Sequence, residues 1–231
     1  MRIDPAESRY PVDVGWLRSR LSFSFGDYYD PDNTAFGVMR VCNDDEVAPG
    51  RGFGPHPHSD MEIVTVVLEG RIMHEDNLGN AVITSAGEVQ RMSAGSGIVH
   101  AEYNPSETEF LNLLQLWFMP SVRGLEPSYE SRRYNPERMK NALLPVATPE
   151  GSEEAALIHQ DMTIYLSRLE PGKQIEFTQQ EGRRVFLFVI EGGIAVNGSK
   201  LGRRDTARIH STPRLTITAN EPAFFMLIDL P

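Results

Sequence analysis

Two distant segments of the chain carry one plan. Glu62-Ile-Val-Thr-Val-Val-Leu-Glu-Gly-Arg-Ile and Arg184-Val-Phe-Leu-Phe-Val-Ile-Glu-Gly-Gly-Ile each read as an apolar strand, a Glu-Gly step and a second strand. A tight hairpin turn that needs glycine explains either step locally. Its recurrence at the same place in two strand series implies a duplicated β domain. The first series holds Ala35–Val41, Glu62–Leu68, Ala81–Thr84 and Leu111–Phe118; the second holds Met162–Leu169, Val185–Ile190, Ile194–Asn197, Leu215–Thr218 and Ala223–Ile228. All are short runs rich in β-branched or large apolar residues, bounded by Gly, Asn, Asp and Pro. The stretch from Arg123 to Pro149 is richer in charge and proline, with one short helix expected around Pro136-Glu-Arg-Met-Lys-Asn, and reads as a linker. The expected architecture is therefore all-β: two stacked jelly-roll barrels, 1–122 and 150–231, joined by linker 123–149.

Charge removes several classes of function. With Lys+Arg 22 against Asp+Glu 32, the net charge is -10. Direct nucleic-acid binding and an anionic membrane surface are poor partners for such a chain. Arg132-Arg133 is too brief a basic group to change that. Cys42 is the single cysteine, so no internal disulfide can form, and its strand-like setting reads as a small buried hydrophobe. The N-terminal residues lack an apolar signal core, and no apolar run approaches a membrane span. A cytoplasmic, monomeric protein is the expectation.

The histidines are unevenly placed. His56-Pro-His58 puts two of the six histidines two residues apart. In an extended strand, residues i and i+2 share a face. Pro57 biases His56 towards extended backbone and favours a strand edge. Both imidazoles should then point at one place. Gly95-Ser-Gly-Ile-Val-His100-Ala-Glu102 repeats the spacing with a histidine and a carboxylate. On facing strands the two pairs would offer three imidazoles and one carboxylate, a set suited to iron, copper, nickel or zinc rather than to magnesium or calcium. Four protein ligands on an octahedral ion would leave two positions open.

These residues resemble the cupins and, within them, the pirins. Gly50, His56, His58, Glu62 and Gly70 follow the first cupin motif, and Met92-Ser-Ala-Gly-Ser-Gly-Ile-Val-His100-Ala-Glu102 is similar to the pirin form of the second. The likeness runs from Asp27-Tyr-Tyr-Asp-Pro to the C-terminal Ile-Asp-Leu-Pro. It implies a bicupin with metal in the N-terminal domain only, held by His56, His58, His100 and Glu102. Iron(II) is taken first, with copper, nickel, manganese or zinc as alternatives. Glu62 fills a slot that is a ligand in other cupins and is left beside the site. Gln179, Gln180, Gly182 and Arg183 stand near where a second His-x-His would fall, so the C-terminal domain is expected to bind no metal. His159 and His210 are read as surface or structural residues, and His74 as an exposed strand end.

Bacterial pirins resemble quercetin 2,3-dioxygenases, which open flavonols with dioxygen. That implies a small aromatic substrate, dioxygen, an open metal position, Glu102 as the base for the substrate's 3-hydroxyl, and an apolar cavity. Met61, Met73, Met92, Phe53 and Phe118 are candidates for its lining. The alternative implied by eukaryotic pirins is a metal-bearing redox sensor that regulates a protein partner.

Overall fold

The computed structural model describes residues 1–231. It contains no α-helix; 3-10 turns at Ala6–Ser8 and Pro136–Met139 are the only helical segments. No helix is long and apolar enough to cross a membrane. The chain divides into two compact units that interleave in sequence: Tyr10–Tyr134 with Pro149–Gln160, and Met1–Arg9 with Asn135–Thr148 and Asp161–Pro231. The sequential boundaries expected above differ from this division. Strand Ser128–Arg133, inside the expected linker, pairs with Glu88–Ser93 in the first unit. Arg2–Asp4 pairs with Thr206–His210 in the second.

Each unit is built from two antiparallel sheets rather than one closed barrel. In the first, the large sheet runs Ser128–Arg133, Glu88–Ser93, Glu62–Glu69, Leu111–Phe118, Met39–Val47, Leu17–Leu21, Tyr10–Asp13. Its small sheet runs Gly52–His58, Ile98–Tyr103, Arg71–Asp76, Ala81–Ser85. The second unit repeats the order: Arg2–Asp4, Thr206–His210, Arg184–Glu191, Ala223–Leu230, Thr163–Leu169, Leu144–Thr148, with a small sheet of Gln174–Thr178, Arg214–Ala219, Ile194–Val196, Ser199–Leu201. Over the six large-sheet positions named for both units, and over all four of the small sheet, the orders match, with one exchange. The edge strand beside Glu88–Ser93 follows its unit in sequence, whereas its counterpart beside Thr206–His210 is the chain's N-terminus.

The Glu-Gly steps show the duplication at atomic scale. Gly70 and Gly192 sit at φ 77° and 69°. A Cβ on Gly70 would stand 2.7 Å from the carbonyl oxygen of Phe110, and one on Gly192 would strike that of Pro222. Both oxygens belong to the residue before the neighbouring central strand. Only glycine accepts the turn and the close approach together.

Alternation places the cores. In Arg184–Glu191 and Ala223–Leu230 nearly every residue is buried, as expected of central strands covered on both faces. The second unit's core joins Val185, Leu187 and Val189 of the large sheet to Ile175, Leu215 and Ile217 of the small one. Cys42 is fully buried, as its setting suggested.

Candidate metal centre

The His-x-His strand, Gly52–His58, pairs with Ile98–Tyr103 in a register that sets His56 opposite His100. Gly52 keeps the strand thin where backbones meet: a Cβ there would overlap Tyr103. The imidazoles of His56, His58 and His100 then converge, with one ligand nitrogen from each lying within 4.8 Å of the others. Ring centroids are 4.5 to 5.0 Å apart. The two histidines of the His-x-His strand thus meet the one histidine of the facing strand.

The nitrogens left over have the marks of ligands. Nε2 of His58 and Nε2 of His100 are buried and have no hydrogen-bond partner, a costly arrangement unless something else satisfies them. The other nitrogens are anchored. Nδ1 of His56 lies 2.7 Å from the carbonyl oxygen of Gly54; donating there leaves Nε2 with the lone pair. Nδ1 of His100 lies 3.4 Å from Nδ1 of His74, whose Nε2 lies 2.9 Å from Oδ2 of Asp76. Read outwards, His74 donates to the Asp76 carboxylate and accepts from His100, which again frees Nε2 of His100. Such outer partners fix tautomer and ring direction at metal sites. Burial holds His58 and His100 well below the usual imidazole range, to about 4 and about 3, with neighbouring imidazoles adding to the effect. Neutral rings are the form that binds a metal.

His74 is therefore not an exposed strand end. It is fully buried, it stacks on Tyr129 at 4.0 Å between ring centroids, and Asp76 is tied by Asn80 and the Leu78 backbone. Alternation along Arg71–Asp76 carries the signal, since Ile72 and His74 both point inward. The tight turn after Asp76 hid it.

Glu102 stands differently from the histidine trio. Its ligand oxygen groups with His74 and His100. Gln90 donates to Oε1 at 2.5 Å and Gln115 to Oε2 at 2.8 Å. Thr65 donates to Gln115 at 2.8 Å, Gln90 donates to Thr65 at 3.2 Å, and Tyr129 donates to Gln90 at 3.0 Å. The carboxyl is thus fixed by a closed network on the large sheet, while each oxygen retains a second lone pair. Burial pushes it up to about 7, against the pull of the two amide donors, with Asp45 adding a smaller push in the same direction.

Glu62 lies elsewhere. It accepts from Ser93 Oγ at 2.9 Å and from the His159 backbone at 3.1 Å, so Glu62 and His159 support each other structurally. His210 is an exposed strand end.

The trio and Glu102 open onto one cavity of about 480 Å³, wholly within the first unit. Leu17, Leu21, Phe25, Phe53, Ile63 and Trp117 supply its apolar wall. Of the residues proposed for that wall, only Phe53 lines it. Phe118 is fully buried in the large sheet, and Met61 and Met92 pack with Ala94 and Ile98 in a cluster that reaches the cavity wall only through Ile63 and Trp117. Trp117 meets His58 edge-on at 4.8 Å.

Comparison with known proteins fits this geometry. A family model described as Pirin matches residues 5–118, and one described as Quercetinase C-terminal cupin domain matches residues 145–230. The chain is 42% identical over 226 residues to a quercetin 2,3-dioxygenase of Escherichia coli K12, covering 98% of this chain and 96% of that one. The chain belongs to the pirin family. Among related bacterial pirins, a pirin-like protein of Caulobacter vibrioides is 43% identical over 219 residues, covering 94% of each chain. The solved structure of the E. coli pirin YhhW in complex with nickel(II) superposes with a TM-score of 0.94 at 41% identity, covering 100% of this chain and 98% of that one. The all-β bicupin expectation holds at the level of the class, and this pirin carries its histidine cluster in the N-terminal of its two cupin units.

Proposed function

We propose that the chain is a metal-dependent dioxygenase that opens flavonols such as quercetin, with one divalent transition ion held by His56, His58 and His100 and completed by Glu102. The observation that carries this reading is the pair of buried, unpartnered Nε2 atoms on His58 and His100 within the three-imidazole cluster. The fourth donor rests on the free lone pairs of Glu102, which faces the same cavity. The relatives called quercetin 2,3-dioxygenase support the activity, and the nickel(II) complex of the E. coli pirin supports metal binding. A donor set of three nitrogens and one carboxylate fits iron, nickel, copper, manganese or zinc, and iron(II) is the form to test first.

When bound, the ion would supply open positions at which an enol oxygen and dioxygen can be held and polarised. The chain's own residues do the rest. Glu102, aimed by Gln90 and Gln115, accepts the proton of the substrate's 3-hydroxyl at whichever oxygen lone pair the amides leave free. The apolar wall receives a flat aromatic body; 480 Å³ is ample for a three-ring ligand. Trp117 and Phe25, in edge contact at 5.2 Å, form its aromatic side. Seated there, the ligand displaces water that would otherwise compete for the base.

The test is anaerobic purification, reconstitution with single metals, and oxygen uptake with quercetin. Uptake that follows one metal at one ion per chain, and vanishes together with metal in His58→Ala, is the expected result. Turnover by metal-free protein, or stoichiometric metal with no uptake for any flavonol, would overturn the activity.

A further inference from the structure

The large sheet presents a polar row to the cavity, and part of it has no partner. In register across the sheet lie Gln90, Thr65, Gln115 and Asn43. The first three hydrogen-bond to one another and clamp Glu102. Asn43 stands beyond them, and two residues further along the same strand, on the same face, stands Asp45 with Ser19 paired opposite it. Asn43 and Asp45 are 4% and 5% exposed, and both line the cavity. Yet Oδ1 of each accepts no hydrogen bond.

A buried carboxylate oxygen left without a donor is expensive, and natural proteins keep one where a ligand supplies what the fold does not. The missing groups are donors, because an ionised carboxylate and an amide oxygen only accept. One carboxylate is too little charge and too few oxygens for a dedicated calcium or magnesium cage. What fits is a neutral ligand with hydroxyl donors, long enough to reach this row while its other end addresses the histidines.

We infer that Asn43 and Asp45 form a hydroxyl-binding subsite that selects aromatic substrates carrying hydroxyl groups beyond the one presented to the metal centre. This deepens the flavonol reading and rests on it for the aromatic body of the ligand. Asp45 acts by binding rather than by proton transfer, and sets preference among substrates. The cost of its burial is recovered when a hydroxyl reaches it. A site that hydrogen-bonds a substrate hydroxyl discriminates against the analogue that lacks it far more strongly than an apolar wall can.

The experiment compares quercetin with 3-hydroxyflavone, which keeps the flat rings and the 3-hydroxyl but none of the others. Dissociation constants are read from Trp fluorescence quenching on the metal-loaded protein under anaerobic conditions, where no turnover occurs. The wild type is expected to bind quercetin at least about 10-fold more tightly, as one charge-assisted hydrogen bond would give. In Asp45→Asn the ratio should fall several-fold, and in Asn43→Leu/Asp45→Leu to about 1, with metal content unchanged. Thermal melts provide the second readout. Without ligand, Asp45→Asn should melt no lower than wild type, since it removes a buried unpaired charge, whereas a structural carboxylate would be missed. Equal affinity for the two flavonols in wild type would mean that the row holds only water, and would overturn the inference. So would a ratio that survives both variants, or a melting point several degrees lower in Asp45→Asn. Selective binding without oxygen uptake would uphold the subsite and sink the dioxygenase; uptake with equal binding would do the reverse.

Discussion

The two cupin units run their strands in the same order and fill the space between their sheets with opposite chemistry. In the first, Gly52–His58 and Ile98–Tyr103 contribute His56, His58, His100 and Glu102, and Arg71–Asp76 adds His74. The matching strands of the second are Gln174–Thr178, Arg214–Ala219 and Ile194–Val196. There Ile175 faces Ile217 and Phe177 faces Leu215 across the pair that corresponds to His56 and His100, and Ile194 and Val196 are buried in the same apolar cluster. The duplicated scaffold does not require either filling. It requires the alternation that points side chains inward, and the glycine step that lets strands meet. The first unit accepts buried polar groups that cost stability, and the second is packed for stability.

Exchanging one residue from each unit separates the two roles most sharply. His58→Ala should abolish stoichiometric metal binding and reduce any oxygen uptake by at least about 1000-fold, while urea unfolding stays close to wild type, because the half-buried ring with its unpaired Nε2 contributes little to the apo fold. Leu215→Ala should do the opposite. It leaves a cavity in a fully buried cluster and should cost about 2–5 kcal/mol, with metal content per folded chain unchanged. A metal-depleted Leu215→Ala protein that remains folded would break the comparison.

A smaller effect tests what the units share. Gly70→Ala and Gly192→Ala each force a side chain into positive φ and against a carbonyl. Both should lose about 2–3 kcal/mol in chemical denaturation, since left-handed strain and steric displacement add. If only one of the pair is sensitive, the two steps are not the same device.

Much of the first unit's site was legible in the residues because alternation is a local rule. His56 with His58, and His100 with Glu102, needed only an extended backbone. What pairs with what was not legible. Register sets His56 opposite His100, and it is decided by long-range strand pairing. The second-unit repeat was visible in Glu-Gly, but the interleaving was not, because Arg2–Asp4 joins a sheet whose other strands all begin at or beyond Leu144. Polar content misled twice. Asn43-Asp44-Asp45-Glu46 lies within strand Met39–Val47 rather than at its end, since two of these residues face a cavity. Arg123–Pro149, charged and proline-rich, still holds the strand that carries Tyr129, which stacks on His74 and donates to Gln90.

That support for the histidines is itself open to a test, with a milder outcome. In the first unit His100 is backed by His74 and Asp76, and the second unit has no such chain behind its aliphatic pair. His74→Phe keeps a ring against Tyr129 but cannot accept from His100. Metal affinity should fall about 10–100-fold, as loss of an outer partner commonly produces, with the Nδ1-bound proton of His100 losing its acceptor. The readout is competition with a chromophoric chelator. Asp76→Asn should give a weaker form of the same loss. Unchanged affinity in both would mean that burial alone aims His100.

The smallest effect is one of pH, and it sets the cost of the first unit's filling. Burial is the main reason that Asp45 is raised from its ordinary 3.8 to about 7, partly offset by Ser19 and reinforced by Asp44. A carboxyl whose folded pKa lies above its unfolded value keeps its proton in the native state while the unfolded chain has already lost it. Its penalty is therefore absent below about pH 4, grows between about 4 and 7, and is complete above 7. Relative to Asp45→Asn, wild-type stability should fall across that window by about 1–2 kcal/mol, allowing for relaxation and water entry around the charge. Denaturant titrations of the metal-free protein at pH 4.5, 6 and 7.5 measure the difference directly. A constant gap between wild type and variant would show that Asp45 ionises as freely as in the unfolded chain, and that the polar row costs the first unit nothing.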